Sequence, residues 1–435
     1  MNRLIPSKAF LALALAAFSL GAGPARAATI LSIADHGAVG DGKTLNTLAI
    51  QDTINRCAGA GGGTVLVPGG VFVTGSIFLK QGVNLEIADG GVLRGSQNTN
   101  DYPWIHTRIG GFEMKWPAAL LNAQSLNNLS ITGRGAIDGA GLSWWRRYWE
   151  TRAQEPDGVD PHFKVPRPRL IHIFGCTNVT VSGLSLSNSP FWTLQLTYCD
   201  GVLTSNLTIR NPHWPVHAAS SDGIDIDSSC NVIVDGCDVV NDDDGICLKS
   251  GRDADGLRVN RPTENVVIRN CRVGYSAAMV AFGSETSGGI RHVRISNCRA
   301  DDDCSSVVRF KSRMGRGGVV EDILYENIKA DNVRSIFSFN MDAHGTTWLP
   351  EEFRALPPPD KGTPVFRDIT VRSLTAHHVG KVGGIVGLPE IPIRNMTLEK
   401  VEIEAEDGFI IRNAPGLHFV DVTLNGKSVD ESAER

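Results

Sequence analysis

One short phrase recurs along most of the chain and limits what that chain can fold into. It reads Asn-Asn-Leu-Ser-Ile-Thr-Gly from Asn127, Thr-Asn-Val-Thr-Val-Ser-Gly from Thr177 and Cys-Asn-Val-Ile-Val-Asp-Gly from Cys230. Further copies begin at Glu264, Arg291, Glu321, Arg367 and Arg394, and a degenerate one spans Gly416 to Val422. Each alternates apolar and polar residues over about five positions, the period of a strand with one buried face, and ends in a residue suited to a tight turn. Equivalent valines, Val179, Val202, Val232, Val266 and Val293, lie 23 to 34 residues apart. Repeats of that length are stacked coils, because one coil cannot bury its apolar face alone. Helical periodicity is scarce, so a leucine-rich horseshoe fits less well than an all-β, right-handed, single-stranded parallel β-helix.

The ends and interruptions of the repeat complete the plan. A short N-terminal capping helix is expected from Thr47 to about Cys57, with Leu48, Ile50 and Ile54 over the open first coil. Gly-rich turns then lead into strands at Thr64 to Val67 and Val71 to Thr74. Two stretches break the rhythm, Gln97 to Pro117 and Gly141 to Arg169, the second carrying Trp144, Trp145, Tyr148 and Trp149. Such insertions map to one face of a solenoid. The aromatic one could close a groove or pack as a helix on the outside.

Before the repeat, Arg3 and Lys8 precede the apolar stretch Phe10 to Leu20 and the small-residue site Ala25-Arg26-Ala27. Residues 1–27 therefore read as a signal peptide and residues 28–435 as one exported domain, secreted or periplasmic in a bacterium. A membrane anchor would need about 20 consecutive apolar residues, and Ser19, Gly21, Gly23 and Pro24 interrupt this stretch. Formal net charge is −5 with no block of like charge, which leaves no electrostatic footprint for nucleic acid. A monomer is expected.

Nine cysteines sit within the strand-like repeats. Cys230 with Cys237, or Cys298 with Cys304, could pair in an oxidising compartment, while burial as small core residues is at least as good a reading for most. No CxxC pair occurs, which speaks against zinc, and neither a metal nor another cofactor is expected.

Chemistry concentrates in two acidic segments: Ser220-Ser221-Asp222-Gly223-Ile224-Asp225-Ile226-Asp227 and Asn241-Asp242-Asp243-Asp244-Gly245-Ile246. Asp222 and Asp243 are 21 residues apart, close to one coil, so both can project from one face. Carboxylates held that close cannot all ionise normally. Glycoside hydrolysis needs one protonated acid and one ionised carboxylate, which such a cluster can supply. A calcium site or a solvated turn is the alternative. Downstream, Arg309 and Lys311 flank Phe310 and share one strand face, where they could hold a substrate carboxylate or balance the aspartates.

Taken together, these segments resemble glycoside hydrolase family 28, the polygalacturonase family. The resemblance spans nearly the whole mature chain and includes Asn188-Ser189-Pro190-Phe191-Trp192 and Gly283-Ser284-Glu285. It implies an inverting hydrolase of galacturonic-acid-containing pectic polysaccharide, exo-acting if the insertions block the groove, with rhamnogalacturonan as a variant substrate. Asp243 would be the general acid and Asp222 with Asp244 would activate water, in register with Lys249-Ser250-Gly251. Arg309 and Lys311, with Lys249 and Glu285, would bind the anionic sugar. Three departures stand out. Ser220-Ser221 replaces Asn-Thr, Tyr275 to Val280 lacks the expected Gly-His-Gly, and no tyrosine follows Arg309-Phe310-Lys311 where Ser338 to Asp342 reads Ser-Phe-Asn-Met-Asp. Trp214, with His213 and His217, is a candidate replacement contact. A calcium-dependent pectate-type lyase and a non-enzymatic carbohydrate-binding solenoid are the competing functions.

Overall fold

The recurring phrase folds as a strand framed by two residues in the left-handed region. The computed structural model describes residues 29–155, 161–341 and 359–429, so the expected signal peptide lies outside the described residues. Asn178 and Gly183 have φ of 53° and 79°, Asn231 and Gly236 of 55° and 66°, and Asn265 and Asn270 of 56° each. Positive φ is least costly for Gly and Asn, which explains why the phrase carries them at its second and seventh positions. Between these turns, alternate residues such as Val179 and Val181 are buried.

Copies of the phrase stack in register as a parallel ladder, Val179 on Val202, then Val232, Val266, Val293 and Ile323. A second ladder runs from Gly91–Gly95 through Ala136–Asp138, Ser185–Ser187, Thr208–Arg210 and Asp238–Val240. The third carries the site. It runs Leu121–Gln124, Ile171–Phe174, Leu194–Thr197, Ile224–Asp227, Asp244–Lys249, Ala278–Phe282 and Val308–Lys311, then continues into residues 337–340, 383–386 and 409–412 of the long C-terminal strands. Apart from the final short pairing and one separate hairpin, every pairing is parallel, so the architecture is a parallel β-helix.

Inward residues form continuous apolar columns. In the third ladder Phe282, Phe310 and Phe339 stack with ring centroids 4.4 and 4.5 Å apart and planes 9° from parallel. The capping helix Thr47–Gly59 covers the N-terminal end with Ile50, Ile54 and Cys57, but Leu48 is 86% exposed, so that expected contact is absent. Leu48 lies in the first turn, on the helix face opposite the buried residues.

The interruptions become a hairpin, Trp104–Ile109 with Phe112–Pro117, and a helix, Leu142–Arg152. Trp144, Trp145 and Tyr148 are buried, and Trp145 Nε1 donates to the Ser189 carbonyl at 2.9 Å, which is the outside-packed arrangement. Trp149 instead donates to the His217 carbonyl at 2.8 Å, at the loop leading to the site.

All nine cysteines are thiols, eight of them buried. Cys230 cannot reach Cys237, because the extended strand Cys230–Asp235 separates them, and at about 3.3 Å per residue that exceeds the roughly 7 Å limit for a disulfide. Cys298 sits in the core column with Cys271 rather than beside Cys304, whose sulfur is 3.3 Å from Ser276 Oγ.

Truncating the middle ring of the phenylalanine column removes contacts on both adjacent rungs. Phe310→Ala is therefore expected to lower unfolding free energy by about 3–5 kcal/mol, measured by chemical denaturation, whereas loss of the exposed Leu48 side chain should cost well under 1 kcal/mol.

Candidate active site

Register brings the acids together. Ile224 pairs with Ile246, so Asp222 and Asp244, each two residues earlier, occupy adjacent rungs, and Gly223 N donates to the Asp244 carbonyl at 2.9 Å. Asp243 precedes that rung by one residue. The coil length in register is thus 22 residues rather than the 21 separating Asp222 from Asp243. Backbones pass so closely here that a Cβ on Gly223 would lie 2.4 Å from the Gly245 carbonyl oxygen, which fixes glycine after Asp222. One oxygen from each of Asp222, Asp243 and Asp244 lies within 4.8 Å of the other two.

Three cations meet these acids. Lys311 Nζ is 2.5 Å and Arg309 Nη1 3.1 Å from Asp244, while Lys249 Nζ donates to Asp222 at 3.1 Å. Burial alone would raise Asp244, but Lys311, Arg309 and Lys249 outweigh it and hold the carboxyl at about 2. Asp243 is pushed up to about 7, first by burial and then by repulsion from Asp222 and Asp244. Burial also carries Asp222 well above the usual carboxylate range, with Lys249 opposing and Asp225 and Asp244 reinforcing the rise. Consecutive residues, Asp243 and Asp244, therefore favour opposite protonation states.

Behind this cluster lies a second layer. Lys249 is 3.3 Å from Asp225 and 3.9 Å from Glu285, and its ammonium sits 4.6 Å from the centre of the Trp192 ring. Arg252 Nη2 donates to Glu285 at 2.9 Å. Burial raises Asp225 to about 7 despite Lys249, whereas Lys249, Arg252 and Arg316 overcome burial at Glu285 and keep it ionised. The three clustered carboxylates are close enough to share a cation, as are Asp222, Asp225 and Cys247. Lys311, Arg309 and Lys249 already supply that positive charge, and a divalent ion would have to lie against them.

The face on either side of the cluster differs. Toward the N-terminal end, the outward residues Asn122, His172, Gln195, Thr197, Asp225 and Asp227 are all 3% exposed or less, and the hairpin packs beside Asp227. Arg108 on that hairpin donates to Ser228 Oγ at 2.8 Å and lies 3.3 Å from Asp227, Arg169 donates to the Arg108 carbonyl at 3.0 Å, and Arg252 N donates to the Gly111 carbonyl at 3.1 Å. Toward the C-terminal end, Arg309 and Lys311 are 29% and 20% exposed at the side chain and the face stays open.

The chain and its parallel β-helix have known counterparts. The sequence pattern of glycosyl hydrolases family 28 matches residues 64–344, well over half of the chain. The chain belongs to that family. A probable polygalacturonase of Vitis vinifera is 32% identical, the match covering 86% of this chain and 74% of the relative. An exo-poly-alpha-D-galacturonosidase of Dickeya chrysanthemi is 27% identical over 70% of this chain and 55% of its own length. The structure of a hyperthermoactive exopolygalacturonase from Thermotoga maritima superposes with a TM-score of 0.81 at 26% identity, covering 92% of both chains. Family membership makes this protein a glycoside hydrolase and does not favour the lyase alternative.

Within this family 28 hydrolase, the expected site residues divide. Asp222, Asp243, Asp244, Arg309 and Lys311 converge. Lys249 and Glu285, expected to touch substrate, are each about 5% exposed at the side chain and stand behind the carboxylates, where they balance charge. Trp214 is 80% exposed and lines a recess of about 420 Å³ with Asn188, Arg210 and His213 rather than the carboxylate cluster. His213 stacks on Tyr275 at 3.8 Å, and His217 Nδ1 is 2.7 Å from Asp242. In the segment lacking the histidine, Arg309 Nη1 donates to the Ala277 carbonyl at 3.2 Å as well as to Asp244, so a guanidinium flanks this carboxylate. The alternation of Ile224, Asp225 and Ile226 is a signal that could have marked Asp225 as outward, but the roles of Trp192, Arg252 and Arg108 have no sequence signal.

The electrostatics predict a cost in stability. Asp243 ionises near 3.9 when unfolded and at about 7 when folded, so its contribution to stability is lost as pH rises across that window. Asp243→Asn removes this loss. The variant should melt at higher temperature than wild type at pH 8, and the gain should vanish at pH 3, as read by scanning calorimetry.

Proposed function

We propose that this hydrolase shortens galacturonic-acid-containing pectic chains from one end, with Asp243 as general acid and Asp222 and Asp244 positioning the attacking water. The observation that carries the assignment is the split between neighbours: Asp243 held at about 7 and Asp244 at about 2. Divergent pKa values on paired carboxyls mark an acid and a base. Asp243 protonates the leaving oxygen, while Asp244 stays ionised to draw a proton from water. Asp222 accepts a hydrogen bond from that water in either protonation state, since a neutral carboxyl keeps an acceptor oxygen.

Inversion is the stereochemistry we infer. Carboxyl groups about 5 Å apart usually accompany retention and those about 6.5–9.5 Å apart inversion. Here the short distances join three groups, and oxygens within 4.8 Å of each other can both accept from one water at hydrogen-bond lengths of about 2.8 Å. Distance alone does not divide the three; register does, since Asp222 and Asp244 occupy adjacent rungs and form the water-holding pair, while Asp243 precedes that rung and keeps its proton. The anomer first released, observed by proton NMR, decides: the inverted anomer supports the water-holding pair, and the retained one makes a carboxylate the nucleophile.

An anionic substrate suits Arg309 and Lys311 at the open edge of the cluster, and the galacturonan-directed names of the relatives agree with it. Attack from a chain end is supported by the hairpin over the N-terminal side of the cleft. The leader-like residues 1–27 support export to where such polymers occur.

On polygalacturonate the expected product is a single small saturated sugar from the earliest times, formed equally with or without chelator. A ladder of intermediate sizes would overturn the exo reading, and release from rhamnogalacturonan alone would change the substrate. Asp243→Asn should lower kcat by about 10²–10⁴-fold with little change in KM, and wild-type kcat should fall as pH rises through about 7, where Asp243 loses its proton.

A further inference from the structure

Past Arg309 and Lys311 the catalytic face continues over further rungs whose outward side chains are small. Arg309 is in register with Ser338 and then Gly384, and Lys311 with Asn340 and then Val386. Successive rungs are about 4.8 Å apart. Ser338, Asn340, Gly384 and Val386, with Ser306, Ser335, Arg334 and Lys381, bound an open trough of about 550 Å³. Ser338 occupies the rung beside Arg309, so no large side chain stands at that position.

The charges that line this trough are of one sign. The chain as a whole is acidic, with a formal charge of −5, yet no carboxylate among the described residues lines the trough, whereas two cations do. Arg334 is held by Asp303 through both guanidinium nitrogens that face it. Lys381 is exposed, in register with Ser335 on one rung and with Asp407 on the next, and has no ion pair among the described residues. Hydroxyls from Ser335, Ser338 and Ser306 and the Asn340 amide border the same space.

We propose that the trough is a binding subsite for a further uronate of the substrate chain, with Lys381 receiving its carboxylate. The proposal rests on the galacturonan reading and extends it: the residue beyond the cleaved bond meets Arg309 and Lys311, and a later one meets Lys381. Lysine suits this position because its ammonium is a point charge that accepts a carboxylate in many orientations. The small rungs between give room for the intervening ring.

The test compares kcat/KM on di-, tri- and tetragalacturonate for wild type, Lys381→Gln and Lys381→Arg. Wild type should prefer the longer substrates, and that preference should shrink as salt screens the exposed lysine. Lys381→Gln should reduce the tetramer-to-dimer ratio about five- to tenfold, chiefly through KM, and Lys381→Arg should restore most of it. An unaltered ratio in the Gln variant, or an equal loss at every length, overturns the subsite. Wild type inert on all three oligomers overturns the galacturonan reading itself, so the two failures are distinguishable.

Discussion

Parallel stacking in register is the constraint from which the rest of this molecule follows. Each side chain lies one rung, about 4.8 Å, from its counterparts above and below, so a residue type that works on one coil must be compatible with the next. Apolar columns satisfy this readily, and the aligned phenylalanines at 282, 310 and 339 show how well. A column of carboxylates does not. Asp222 and Asp244 on adjacent rungs, with Asp243 beside them, form a cluster whose repulsion the fold must offset.

The offset comes from cations placed on both sides. Arg309 and Lys311 approach Asp244 from the later rungs, and Lys249 reaches Asp222 from the far end of its own strand. Their unequal distribution sets the protonation pattern, since Asp244 receives two direct partners and Asp243 none of comparable reach. Lys249 is in turn held by Asp225, Glu285 and the Trp192 ring. Burying so many charges is unfavourable except as a connected set, and neighbouring carboxyls with separated pKa values are what that set maintains.

Much of this could be read from the chain because it depends on local rules. The phrase around Asn178, Asn231 and Asn265 encodes its strand and both of its turns within seven residues, and the spacing of its copies gives the stack. The aspartates and Arg309-Phe310-Lys311 were legible because short motifs carry them. What escaped depends on distant partners. Nothing near Lys249 distinguishes a buried counter-charge from a substrate contact, and nothing near Arg108 tells that its hairpin will pack beside the distant Asp227. Leu48 failed for a smaller reason: its place in a helix was foreseen, but the direction of the buried face depends on how the helix docks. The cysteine pairs failed because an extended strand lies between Cys230 and Cys237.

The hairpin over the N-terminal side of the cleft also determines the traffic through it. Asn122, His172 and Gln195 are buried on one side of the carboxylates and the trough beyond Lys311 is open on the other, so the face is accessible from one direction. A sugar freed at the closed end has the remaining polymer across its exit. Under the end-on cleavage proposed above, the shortened chain withdraws before the product escapes, so each encounter yields one cut and the polymer is not threaded forward through successive cleavages. Turnover is then governed by how readily an anionic chain lets go of the cationic rungs, which links tight binding along the trough directly to slow release.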